Sequence, residues 1–100
     1  MIDERRKHGR LPVVLEASWE GSGSRSLART TDISLTGCFI DTQGEVGIGE
    51  IVNIKLITHE RNCISVQGVV MYYQRGVGFG VRFTGISEAD RLRLNALLDA

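Results

Sequence analysis

Arginine carries a planar fork of N–H donors that matches a phosphate, or the O6/N7 edge of guanine, through two parallel hydrogen bonds. Lysine cannot reproduce this geometry. The segment ERRKHGR, residues 4–10, gathers Arg5, Arg6, Lys7 and Arg10, a third of the twelve Lys and Arg residues in the chain. Arg6 and Arg10 stand four apart, just ahead of the first apolar run at Leu11. Taken alone, a basic cluster more often reads as a solvated terminus, since chain ends are commonly loose and charged. A second group is DISLTG, Asp32 to Gly37. Asp and Ser two apart form turns by bonding nearby backbone N–H groups, and Gly37 permits a positive φ or a close backbone approach. Alone, this stretch also reads as a plain strand-to-strand corner. Read for chemistry, a carboxylate there accepts two N–H bonds from the Watson–Crick edge of guanine, while Ser34 and exposed backbone groups hold a sugar or phosphate.

The elements that would position these groups are mostly strands. Val13, Leu15, Ala17 and Trp19 alternate with Val14, Glu16, Ser18 and Glu20 in PVVLEASWE, the period of a half-buried strand. GSGS at 21–24 is a turn, and LARTTDI and GCFIDT are the second and third strands. IVNIKLI alternates Val52, Ile54 and Leu56 against Asn53 and Lys55. CISVQGVVMYY is a longer strand in which Gly68 suggests a bulge or bend, and GVGFGVRF sets Val77, Phe79, Val81 and Phe83 on one side. The spacing predicts an all-β fold with one helix, a six-stranded antiparallel β-barrel over residues 11–100 behind a flexible arginine-rich arm at 1–10. The helix is expected at about 87–98. Ser87 is its N-cap, Asp90 resembles the far side of a capping box, and Leu94, Leu97 and Leu98 share the face that packs on the barrel.

Bulk properties limit what such a domain can do. One hundred residues suit one small domain, with 42% hydrophobic and 24% charged residues. A net charge of zero argues against a general nucleic-acid or membrane-surface binder, so anion binding must be local. No stretch reaches the length of a membrane helix, and the charged start lacks the apolar run of a secretory signal. Cys38 and Cys63 form no metal-binding spacing and are expected as reduced thiols in a cytoplasmic protein. GVGFG lacks the third glycine of a dinucleotide fingerprint and lies within a strand pattern. His59 and Cys63 span a turn without a second ligand pair, so no metal is expected. His8 and His59 have no evident catalytic partner, so no enzyme activity and no cofactor are expected. Trp19, Tyr72 and Tyr73 read as core or barrel-surface residues; an aromatic could pack on a guanine, but nothing in the sequence marks which.

The pairing of R-x-x-x-R before the first strand with D-x-S-x-x-G between the next two resembles the PilZ domain family. GVGFGVRF followed by TGISEADRLRL is similar to that family's closing strand and helix. The resemblance implies a receptor for the bacterial second messenger cyclic di-GMP. It assigns Arg6 and Arg10 to phosphate and guanine, Asp32 and Ser34 to side-chain contacts, and Gly37 to a backbone contact. Arg5, directly before the motif, implies a stacked, intercalated pair of ligand molecules. The resemblance further implies an arm that closes over the ligand and a conformational change relayed to a downstream protein that the sequence does not identify. The alternative is a ligand-independent protein-interaction adaptor with the same barrel. A barrel that binds single-stranded nucleic acid would need a basic groove lined with exposed aromatics, which six aromatics and zero net charge fit poorly.

Overall fold

A computed structural model of the chain describes residues 14–21, 24–58 and 62–99. The arm at 1–10, with Arg5, Arg6 and Arg10, lies outside the described residues. Six strands are present among those described: β1 (Leu15–Gly21), β2 (Ser24–Thr31), β3 (Gly37–Asp41), β4 (Ile51–Ile57), β5 (Cys63–Gln74) and β6 (Gly78–Ile86). They close into a barrel in the order β1-β2-β3-β6-β5-β4, every neighbouring pair antiparallel. Each strand is flanked by a partner on both sides over at least part of its length. The period-2 pattern sets the inner face. Leu15, Ala17 and Trp19 of β1, Val52, Ile54 and Leu56 of β4, and Ile64, Val66 and Val70 of β5 are all buried. Trp19 meets Phe79 edge to face, with ring centroids 5.1 Å apart, the arrangement that the ring quadrupoles favour.

Two departures from the alternating pattern shape the outer wall. Val77, expected inside the last strand, lies in the β5–β6 turn instead. Its N–H donates to the Gln74 carbonyl at 2.9 Å, and its side chain is exposed. Along β5 the register with β6 slips twice, between Gln67 and Gly68 and between Val70 and Tyr72. The first slip fits the bend expected at Gly68. The second leaves Met71 as an extra residue, so Met71 and Tyr72 are exposed in succession, at 48% and 47%. A bulge adds one residue to one strand and re-aims the side chains beside it.

The helix α1 (Glu88–Asp99) buries Leu94 and Leu98, with Leu97 packed against the core from the side. Ser87 caps it as expected, its Oγ accepting the Asp90 N–H at 3.1 Å. The other half of the capping box is replaced by a tertiary bond. One Asp90 carboxylate oxygen accepts the Ser65 N–H of β5 at 3.2 Å, and the other accepts from Arg93 at 2.8 Å. Ser65 lies just beyond the last β6 pairing, at Val66 and Ile86, so Asp90 takes up a strand N–H that β6 no longer reaches. This ties the helix to the barrel.

Candidate functional site

The D-x-S-x-x-G stretch is the turn between β2 and β3. Asp32 has φ 54°, the left-handed region, the only non-glycine with positive φ among the described residues. Aspartate tolerates that conformation better than most residues, and strained backbone of this kind collects at binding sites. The kink lets Ile33 sink into the core, fully buried, while residues on either side stay at the surface. Ser34 then organises the turn. Its backbone N–H donates to the Gly37 carbonyl at 2.9 Å, and its Oγ accepts the N–H groups of Thr36 at 3.1 Å and Gly37 at 3.2 Å. Both lone pairs are therefore occupied. The hydroxyl proton is within reach of the Gly37 carbonyl and of Thr36 Oγ1, each at 3.2 Å, and it is the one group that Ser34 can redirect to an anion. The Thr36 carbonyl accepts the Phe83 N–H at 2.8 Å, which fastens the turn to β6.

Gly37 is required by packing rather than by φ. A Cβ there would overlap the carbonyl oxygen of Val81 on β6. Of the two roles that the sequence allows for this glycine, the close backbone approach is the one realised.

Asp32, Ser34 and Gly37 line a single cleft of about 230 Å³ on the outer wall, together with Tyr72 and Arg82. Tyr72, Gly80 and Phe39 form one row across three strands, since Gly80 pairs with Tyr72 on one side and Phe39 on the other. The two rings stack at 6.1 Å with 28° between their planes. Phe39 and Arg82 are the residues that sequence reasoning missed, and Tyr72 is one of the three aromatics it left unassigned. Arg82 places an exposed guanidinium beside the turn, opposite Gly37 in the β3–β6 register. A larger cleft, of about 520 Å³, lies between Glu16, Arg29 and Asp41. It contains none of the motif residues, and two carboxylates beside one arginine make it a poor place for a polyanion.

Cys38 also lines the motif cleft but points inward and is buried. Burial pushes its thiol up from 9.0 to about 11, partly opposed by a hydrogen bond with Thr30. A raised acid pKa means that the fold holds this proton more tightly than the unfolded chain does. The resulting stability is complete below pH 9.0 and is lost as pH climbs towards about 11. The expected loss over that window is about 2–3 kcal/mol. Urea unfolding at pH 8.5 and 10.5 should show a steeper alkaline decline for wild type than for Cys38→Ala; parallel declines would contradict the assignment. Cys63 is exposed, and both thiols are free.

Among the described residues no group of three His, Cys, Asp or Glu side chains could hold a metal ion, and no helix is long and apolar enough to cross a membrane. Solved structures that share the fold include the following two. One is the Bacillus subtilis inhibitor of motility (MotI/DgrA), with a TM-score of 0.77 and 16% identity. It is matched over 98% of this chain and 51% of that one, so this chain spans about half of that protein's length. The other is the PilZ domain of CeSA from a cellulose-synthesizing bacterium, with a TM-score of 0.69, 13% identity, and coverage of 90% and 94%. No curated protein matches the sequence. A family model described as the PilZ domain matches residues 4–100. Because that match takes in nearly the whole chain, including both motif segments, the chain belongs to the PilZ domain family.

Proposed function

We propose that this chain is a cyclic di-GMP receptor that binds the nucleotide in the Asp32–Gly37 cleft and passes the event to a partner protein as a conformational change. The observation that carries this reading is the convergence of Asp32, Ser34 and Gly37 on one open cleft that also holds an aromatic ring and a guanidinium. PilZ domains are ligand-binding, regulatory domains rather than catalysts, and one similar chain is an inhibitor of motility, which accords with a signalling output. In this reading Asp32 accepts from a guanine edge, Ser34 offers its hydroxyl proton, and Gly37 brings the backbone close. Arg6 and Arg10 reach across from the arm to phosphate and guanine. The site would be cytoplasmic, where the ligand is made and where both thiols stay reduced.

Arg5 extends the reading to an intercalated pair of ligands, because two stacked molecules bring four negative charges and more guanine faces to the guanidinium groups. Calorimetric titration with cyclic di-GMP tests both parts. Wild type should saturate at two ligands per chain, and Arg5→Leu should shift saturation towards one. Wild-type saturation at one would remove the pair and leave the receptor; no measurable binding would remove both.

A further inference from the structure

We propose that the N-terminal part of β2, Ser24–Ala28, is a docking edge on which an extended segment of a partner protein adds as an antiparallel strand, with an apolar residue against Leu27 and an acidic residue against Arg25. This gives the partner expected above a place to bind; it rests on that reading for the partner's existence and not for the nucleotide.

β1 pairs with β2 from Ser24 to Thr30. β3 pairs with it only at Arg29, Thr30 and Thr31. Beyond Asp41 the chain turns away, and the Thr42 N–H donates to the Val77 carbonyl in the β5–β6 turn at 3.2 Å. Ser24–Ala28 therefore has a neighbouring strand on one side alone, over five residues, a length of roughly 17 Å. Among the described residues, no backbone bond outside the sheet ladders reaches this stretch. Strand backbone in this state presents a row of N–H and C=O groups that a further strand can pair. Space for one lies alongside. The cleft of about 520 Å³ is lined by Leu27, Ala28 and Arg29 of β2, by Thr42 and Gln43 of the chain leaving β3, and by Gly76.

The outward residues choose the occupant. Arg25, Leu27 and Arg29 are exposed and alternate with the half-buried Ser26 and Ala28. Leu27 is 83% exposed, the most of any large hydrophobic residue among those described. Glu20 stands opposite Arg25 and Glu16 opposite Arg29 on β1, and Asp41 stands opposite Arg29 on β3. Every strand that passes an arginine of β2 thus brings an acid to it, and the side of Arg25 without a strand calls for the same. An added strand continuing the line and direction of β3 would meet Ala28, Leu27, Ser26 and Arg25 in turn. An apolar residue at Leu27 and an acid at Arg25 would form the cross-strand pairs that stabilise sheets; the alternate residues would be small, to match Ser26 and Ala28. A second copy of this chain fits badly. Pairing β2 with β2 so that the two leucines meet would place the second strand opposite Arg29, where Asp41 already stands. A charged residue on an edge is also a device against unwanted pairing, so the test must separate a docking edge from a blunted one.

The isotope-labelled chain, without nucleotide, is titrated with a blocked peptide of sequence Thr-Ile-Ser-Glu-Thr, whose isoleucine and glutamate fall against Leu27 and Arg25 in the register above. Backbone amide resonances should move saturably at Ser24–Ala28 and at Thr42 and Gln43, and hydrogen exchange should slow within Ser24–Ala28. The same peptide N-methylated at its central residues keeps the side chains and loses the backbone donors; it should not bind. Replacing the glutamate by lysine should weaken binding by roughly 2- to 30-fold, and Arg25→Glu, at an exposed position, should reverse that order. Absence of saturable shifts at millimolar peptide would overturn the docking edge while leaving the receptor reading untouched, since no nucleotide is present. So would shifts that map elsewhere on the barrel, an N-methylated peptide that binds as well, or a preference between glutamate and lysine that Arg25→Glu does not move. A dimer in sedimentation that Leu27→Asp dissolves would give the edge to a second copy and overturn the partner segment.

Discussion

Gly37→Ala is expected to lower the ligand-free melting temperature by roughly 12–24 °C. The added Cβ would overlap the Val81 carbonyl oxygen. That oxygen belongs to backbone already fixed by the pairing of Cys38 with Val81 and of Gly37 with Arg82, so it has no rotamer by which to yield. Relief requires β3 to move away from β6. β3 is short, pairing with β6 over Gly37–Asp41 and with β2 only at Arg29, Thr30 and Thr31. Separation at this point therefore opens the barrel rather than shifting load to a neighbour. Overpacking of this kind costs about 1–3 kcal/mol, and each backbone bond lost adds about 1 kcal/mol. A total near 3 kcal/mol converts to the stated shift for a domain of this size. Gly47→Ala is the control, since its Cβ would meet only Glu50 Oε1 at 3.9 Å; its melting temperature should match wild type. If Gly37→Ala melts like wild type and yet fails to bind nucleotide, the glycine serves the ligand directly rather than the seam.

That distinction bears on how the motif is read. D-x-S-x-x-G is legible in the sequence as a turn with a polar platform, but the sequence does not say which of its residues face a ligand and which hold the turn together. The structure divides the labour. Ser34 spends both lone pairs on the Thr36 and Gly37 N–H groups, and Gly37 admits the Val81 carbonyl. Asp32 stands at the kink and lines the cleft.

The strands show why some boundaries are readable and others are not. IVNIKLI matches β4 at both ends, because unbroken alternation and flanking loops leave one solution. Val77 misleads, because its two-residue spacing from Phe79 continues the strand pattern into what is a hairpin turn. Only the register against β5 reveals where pairing stops. The same dependence hides the exposure of Tyr72. A bulge at Met71 exists only relative to β6, and no property of MYY alone says that both of its first two residues face outward. Gly80 is the signal that could have pointed there, a small residue across from an aromatic, but it becomes informative only once the pairing is known. The basic arm is the reverse case. ERRKHGR is conspicuous as a motif, and it lies outside the described residues.

The largest functional effects should come from Arg10→Ala and Asp32→Gly. Hydrogen bonds to charged groups are worth roughly 1.5–3 kcal/mol each, so either change should weaken cyclic di-GMP binding by about ten- to a hundredfold or more. Glycine is the substitution of choice at Asp32 because it accepts φ 54° without strain. Asp32→Ala should bind as poorly but also be less stable, by about 1–2 kcal/mol for a Cβ held in the left-handed region. Melting gives a direct readout by mass action. At a ligand concentration a hundred times the wild-type Kd, binding stabilises the fold by about 2.7 kcal/mol, a rise of roughly 11–22 °C. A variant weakened a hundredfold gains only about 0.4 kcal/mol under the same conditions, a rise of roughly 2–3 °C. Arg10→Ala should melt like wild type without ligand, since Arg10 precedes the alternating core pattern of β1. GMP and single-stranded RNA at equal concentration should produce no comparable rise in any variant. If wild type, Arg10→Ala and Asp32→Gly each show the same melting temperature with and without cyclic di-GMP, the receptor reading fails. The barrel would then be a protein-interaction adaptor that needs no nucleotide.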